Sequence, residues 1–235
     1  MASESSSFAG ASWQPYSTAP SFTFTGSAIT RTVYFKARNG FGESATVSDT
    51  IYLEPATVSV ASGIFTMGRT ASGDDATYGG TNEDPQHQVG LAPYQLGKYE
   101  VTNQQYAEVL NWAHGQGYLK NFGGDTPYTS GVIYAYDQFI TYTADIHPDT
   151  SQITYSDGIF GVRSRAGYGD VLYSMADHPV GGVSWYGAVC YCNWLSEQQG
   201  LQPCYDTMTW TRYEPVRNGY RLPTEAEWER AAAWN

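Results

Sequence analysis

Gly219-Tyr-Arg-Leu-Pro-Thr-Glu-Ala-Glu-Trp-Glu-Arg-Ala-Ala-Ala-Trp-Asn235 is the stretch on which the fold turns. It reads as a loop running sharply into a helix. Pro223 keeps the residue before it out of the α region, so nothing helical precedes it. Thr224 stands as N-cap with Glu227 three residues on. This is a capping box, in which the hydroxyl accepts from a first-turn N–H and the carboxylate reaches back to the cap. Glu225, Glu227 and Glu229 gather at the positive end of the helix dipole, where acidic groups are favoured. Trp228, Ala231 and Ala232 fall at helical spacing and are expected to face inward. The pattern stops at Asn235 in mid-helix, without a C-cap, so the chain reads as a fragment.

Composition sets bounds around that stretch. The chain has 235 residues, 41% of them hydrophobic and 15% charged, which suits a globular protein with a core. Its 20 Tyr, 7 Trp and 25 Gly point to β-rich, loop-rich architecture with aromatic packing. A net charge of −11 argues against nucleic acid and against an anionic membrane surface, both of which ask for Lys/Arg patches. The acidity reads as solubility. No apolar run approaches the ~18 residues of a membrane-spanning helix, and no leader pattern opens the chain. Cys190 and Cys192 lie two apart on an expected helix, so they point to different sides. With Cys204 they read as buried structural thiols, a Cys190–Cys204 or Cys192–Cys204 disulfide being the alternative.

Working back from the end, Ser184 caps a helix. Trp185, Ala188, Val189, Cys192, Leu195 and Ser196 are expected to line one face of it, and Gly200 ends it. A crossing loop from Leu201 to Asn218 carries Cys204 and Trp210. Residues 115–178 are rich in Gly, Tyr and Asp. Within them Val132–Tyr136 and Phe139–Tyr142 read as strands, and Ser156-Asp-Gly158 reads as a hairpin turn. The aromatics there read as local packing, with a ligand or partner surface as the alternative. Thr102 caps a helix with Tyr106, Val109, Leu110 and Ala113 on one face. Tyr94–Val101 and Ser62–Gly68 are expected strands. The acidic stretch 69–88 reads as a solvated loop; Asp74, Asp75, Asn82, Glu83 and Asp84 make calcium binding the alternative. At the start, Ser21–Thr25 alternates. Thr32–Arg38 and Ser44–Leu53 flank Asn39-Gly-Phe-Gly42 as a hairpin.

Two resemblances follow. The Thr32–Leu53 hairpin is similar to the closing strands of immunoglobulin-like or fibronectin-like repeats of bacterial surface proteins. Such a sandwich takes about seven strands and ~100 residues. The resemblance therefore implies a partial module over 1–55, with Met1 internal or artificial and Glu54-Pro-Ala56 as linker. Four segments, Gly63-Ile-Phe-Thr-Met-Gly68, Lys98-Tyr-Glu-Val-Thr-Asn-Gln-Gln-Tyr106, His178–Ala188 with Tyr191–Ser196, and Tyr220–Arg230, together resemble the formylglycine-generating enzyme (sulfatase-modifying factor) family over 56–235. The resemblance implies an α+β, C-type-lectin-like fold with much irregular structure. It implies oxidation of a protein cysteine to formylglycine with O₂ and copper, and calcium in the complete domain. It places the copper-binding cysteine pair and the calcium ligands beyond Asn235, so it carries no catalytic, cofactor-binding or metal-ligating residue into this sequence.

The remaining candidates read structurally. His87, His114, His147 and His178 form no metal-binding spacing; His178, before Pro179, reads as a strand-edge residue. Ser184 reads as a cap. Glu225 and Glu227 are explained by the first helical turn rather than by acid–base work. Arg221 is expected to pair with an acid and pin the loop. The functional readings are a formylglycine-generating oxidase acting on a sulfatase-like protein or peptide, inactive in this chain as it stands, and a non-catalytic ligand- or protein-binding module of an exported or surface bacterial protein. A non-haem-iron oxidase of the same family comes third, because its ergothioneine-forming type carries a helical domain where this chain has a β module.

Overall fold

The structure is a computed structural model that describes residues 1–18, 21–24, 30–52, 55–121 and 131–232. The expectations touching Thr25, Leu53, Glu54 and the last three residues lie outside these. The chain forms two compact units, residues 1–55 with 101–220 and residues 56–100 with 221–235. It is of the mixed α+β class, with short antiparallel sheets of two or three strands joined by long irregular segments.

In the first unit the N-terminal hairpin forms with shorter paired strands than expected, and Arg38–Asn39 pairs separately with Gly42–Glu43 beside the turn. Thr30–Phe35 pairs antiparallel with Val47–Tyr52, from Thr30↔Tyr52 to Phe35↔Val47, and Ala2–Ser3 adds to its other edge. The core lies among residues 101–220, around two helices. The first, α2 (Asn103–Gly115), follows a short helix α1 (Gly73–Tyr78) of the other unit. Thr102 Oγ1 accepts from Gln105 N and Gln105 Oε1 accepts from Thr102 N, a complete capping box. Tyr106, Val109, Leu110 and Ala113 are all buried, as their spacing predicts. The second helix, α3 (Trp185–Gln198), is capped by Ser184.

The expected single inner face of α3 is corrected. Val189 through Ser196 are all buried, and Trp185 is half exposed. The helix is enclosed on several sides: by α2, by the strand Gln138–Tyr142, and by the 201–220 loop through Asn193 and Ser196. A helix covered all round loses its amphipathic signature.

Two hairpins complete this core, and both expected strand pairs are present. Val132–Ala135 pairs with Gln138–Tyr142, and Ile153–Ser156 with Ile159–Val162 across Asp157-Gly158. Gly187 marks where α3 approaches the first hairpin most closely. A Cβ there would lie 2.4 Å from the Ile140 carbonyl oxygen and 2.8 Å from Val183 Cγ1. Ala ordinarily gains about 1 kcal/mol over Gly inside a helix. Here backbone overlap outweighs that, and Gly187→Ala is expected to destabilise by about 1–2 kcal/mol; thermal denaturation checks the sign.

In the second unit, Gly63–Met67 pairs with His87–Leu91 and Thr57–Val60 with Tyr94–Gly97, so the expected Tyr94–Val101 strand is shorter. Helix α4 (Glu225–Ala232) packs on the first of these pairs. Its expected inner face is also corrected. Trp228 is 59% exposed and Ala231 and Ala232 are exposed, whereas Glu227 is buried. Polar anchors turn the helix this way. Gly68 N donates to Glu229, Tyr94 OH donates to the Glu227 carbonyl, and the Arg230 guanidinium lies over the Phe65 ring. The acidic loop carries α1 and a 3₁₀ turn at Thr81–Glu83. Glu83 accepts from Gly80 N and Asp84 pairs with Arg69, which favours the solvated-loop reading over calcium.

Candidate functional site

The segments singled out in the sequence meet through backbone hydrogen bonds. In the first unit, Asn103 at the start of α2 is fully buried, and its Nδ2 donates to the carbonyls of Met175 and His178 at 2.8 and 2.9 Å. Asn103 N donates to His178 O and Val180 N to Val101 O, with a bridge between Thr102 and Pro179. The Val101–Tyr106 and His178–Ala188 segments are thereby one structural element. His178 sits beside this bridge, as a strand-edge residue should. Thr141 Oγ1 donates to Gly182 O at 3.0 Å, and Ser184 N and Oγ donate to Ile140 O and Phe139 O. Ser184 is thus a cap that also fastens the helix to the hairpin, its hydroxyl donating to Phe139 O and accepting from Gly187 N.

The α3 interior holds the cysteines. All three are reduced and buried, so the disulfide alternative is overturned. Cys190 and Cys192 lie on α3, and the Cys204 thiol is directed at the Gly219 carbonyl at 3.3 Å. Burial, with Cys192 nearby, pushes the Cys190 thiol well above its ordinary range. A copper dithiolate needs two deprotonated sulfurs converging on one point. Two residues apart on a helix, Cys190 and Cys192 project to different sides, and burial keeps Cys190 protonated, so this pair does not fit that metal. Among the described residues no three His, Cys, Asp or Glu side chains converge.

Around α3 the aromatics interlock. Tyr106 stacks on Tyr191 with centroids 5.5 Å apart, and Trp194 stacks on Tyr118 at 6.4 Å and donates to Tyr136 OH. Burial raises the Tyr136 phenol to about 12 and raises Tyr106 and Tyr191 as well. These are packed, neutral phenols.

In the second unit the capping box takes a stronger form than expected. Arg221 Nη1 and Nη2 donate to the two Glu227 oxygens, both at 2.6 Å. Thr224 N also donates to Glu227, at 2.8 Å, and Glu227 N to Thr224 Oγ1. The guanidinium holds the Glu227 carboxyl down at about 2 against the opposing effect of burial. Glu227 is therefore a fixed anion that clamps the loop to the helix, and it is no general acid. Glu225 is exposed and apart from it. The histidines stay scattered: His114 packs edge-on to Tyr155 and Phe160, His147 lies against Tyr142, and His87 meets the Pro85 carbonyl.

Sequence reading missed Asn103 and Asn193, the latter bonded to both the N–H and the C=O of Tyr205. It also missed the left-handed backbone of Tyr136, Asp137 and Trp210. The only local signal for the asparagines is a strongly polar residue in an otherwise apolar helical face.

Comparison with known proteins follows the same segments. A family model described as the sulfatase-modifying factor enzyme 1-like domain matches residues 43–234. The formylglycine-generating enzyme of Bos taurus is 28% identical over 176 residues, covering 73% of this chain and 38% of that protein. The chaperone protein LppX of Paenibacillus barcinonensis is 27% identical over 206 residues, covering 78% of this chain and 54% of that protein. The chain thus spans about half or less of these relatives' lengths. The crystal structure of CarF matches with a TM-score of 0.41 at 26% identity, over 76% of this chain and 56% of that one.

Proposed function

The chain belongs to the sulfatase-modifying factor enzyme 1-like family, and from that premise we propose that it is the scaffold of a protein that oxidises a cysteine of a sulfatase-like protein or peptide to formylglycine. One observation carries the scaffold role. The polar side chains of the matching segments around the two clamps are engaged in holding backbone: Asn103 and Ser184 in one unit, Arg221 and Glu227 in the other. The thiols on hand are buried instead of poised. Copper and calcium belong to this reading as the family's metals.

The test is direct. The 235-residue chain is incubated with a Cys-x-Pro-x-Arg peptide, Cu⁺ and O₂, and aldehyde is captured by a hydrazide mass tag. No aldehyde above the protein-free control is expected. A longer protein containing these residues is expected to form it; aldehyde from the 235-residue chain alone would refute the scaffold role.

A second reading is a non-catalytic binding module of an exported bacterial protein, with the N-terminal hairpin as the end of an immunoglobulin-like repeat. The similarity to a protein named as a chaperone supports it. Retention of the peptide by the longer protein without conversion would put this reading first. The iron-oxidase reading draws on the similarity to the hercynine oxygenase of Mycobacterium tuberculosis, 28% identical over 154 residues.

A further inference from the structure

An open cleft of about 390 Å³ lies in the first unit, lined by Tyr136, Asp137, Gln138, Thr207, Met208 and Trp210. None of its lining belongs to the two clamps described above. Its two walls are built in an unusual way. Ala135 pairs with Gln138, so Tyr136 and Asp137 form a two-residue hairpin turn, with φ of 50° and 60°. Such a turn favours Asn-Gly or Asp-Gly. The neighbouring hairpin uses that chemistry, with Asp157-Gly158 at φ 52° and 83°. Here a bulky aromatic and an acid occupy left-handed positions that sterics disfavour. The opposite wall repeats the feature, with Trp210 at φ 58°. Its loop is fixed by Asp206, which accepts from Met208 N and Thr209 N at 2.7 and 3.0 Å while its own N–H and C=O bond to Thr211 and Trp210. Strained positions held by their surroundings gather at sites where a side chain must be displayed.

The chemistry displayed is amphipathic. The Tyr136 and Trp210 rings meet at 70° with centroids 6.3 Å apart, and Tyr186 backs Trp210 at 4.7 Å. Beside these apolar faces stand a carboxylate, an amide and a hydroxyl. Among the described residues the side chains of Asp137, Gln138 and Thr207 have no hydrogen-bond partner, whereas nearby Asp206 is fully engaged. Together they offer acceptors and donors in the mixture that neighbouring hydroxyls need. No cation lines the cleft, and the net charge of −11 repels anions.

We propose that this cleft binds a neutral saccharide, one or two rings in size. The C–H face of a sugar packs on Trp210 and Tyr136. Its hydroxyls pair with Asp137, Gln138 and Thr207, and the volume suits a small ligand held by aromatic walls and a few placed polar groups. An organic cation would use the rings, Asp137 and the Gln138 carbonyl but would leave the Gln138 N–H groups and the Thr207 O–H without an acceptor on the ligand, whereas sugar hydroxyls serve both roles. One carboxylate is too few for a calcium-bridged sugar site, since calcium takes six to eight oxygen ligands. This inference is independent of the oxidase reading.

The experiment is saturation-transfer NMR and calorimetry on the 235-residue chain with methyl β-glucoside, cellobiose and maltose, with choline as the cationic arm. Binding of at least one saccharide is expected, unchanged by EDTA. Trp210→Leu should weaken it by about tenfold or more, as for an aromatic anchor in a pocket. Asp137→Asn should weaken it by about three- to tenfold, as for loss of a charged acceptor. Asn tolerates the left-handed turn and Asp137 is exposed, so that variant keeps the fold even if Trp210→Leu does not. Binding of choline alone, no saccharide binding, or saccharide binding unaffected by Asp137→Asn each overturns the proposal.

Discussion

Trp194→Ala is expected to cost about 4 kcal/mol of stability, in the range for an aromatic removed from a packed core. Trp194 is 1% exposed, stacks on Tyr118 and donates its indole N–H to Tyr136. Its loss opens a cavity inside α3's enclosure and removes both the ring that Tyr118 stacks on and the N–H donor to Tyr136. For a unit of this size the melting temperature should fall by roughly 8–16 °C. Trp194→Phe keeps a ring in place and should cost less than half as much. The contrasting variant is Trp228→Ala. Both tryptophans lie on helices in apolar-looking patterns, but Trp228 is 59% exposed, and its removal should stay within about 0.5 kcal/mol. Differential scanning calorimetry of the three variants checks the ranking; equal losses at 194 and 228 would contradict the packing described here.

The second large effect is expected at Arg221. Among the described residues of the second unit no hydrophobic side chain is buried, and Glu227 is the buried one. Polar bonds help hold that unit, the Arg221–Glu227 pair among them. Arg221→Met leaves a mostly buried carboxylate without its cation, at a cost of about 3 kcal/mol. The same pair sets an acid limit. Glu227 titrates at about 2 when folded, below its ordinary value of 4.5. A depressed carboxyl contributes stability that is present above the ordinary value and is lost as pH falls from about 4.5 towards 2. The whole shift corresponds to about 2–3 kcal/mol after allowance for partial exposure of Arg221. In Arg221→Met the Glu227 value should climb back towards ordinary, and the pH dependence between 4.5 and 2 should flatten. Glu227→Gln keeps the shape and removes the charge, so it should flatten the same window. Hydrogen exchange at α4 as a function of pH reads both, and an unchanged acid profile in Arg221→Met would rule the clamp out as its cause.

The helix starts were legible because capping is local. Thr102, Ser184 and Thr224 each satisfy first-turn N–H groups within three residues of themselves, and that geometry is written in the chain. The Asp157-Gly158 turn was legible for the same reason. The inner face of α4 was not. Its orientation depends on Gly68 and Tyr94, both more than 130 residues away in sequence. Periodicity reports which side is apolar and says nothing of distant polar anchors that override it.

By itself, then, the amino-acid sequence determined the α+β class, the capped helices, the hairpins and the family, since each rests on contacts between near neighbours or on a run of matching residues. Tertiary structure alone decided that α3 is enclosed, that Glu227 is an anion locked to Arg221, and that Tyr136 and Trp210 face one cleft. Those outcomes depend on which remote groups meet. Burial, ionisation and a shared cleft are properties of surroundings that no single stretch of chain contains.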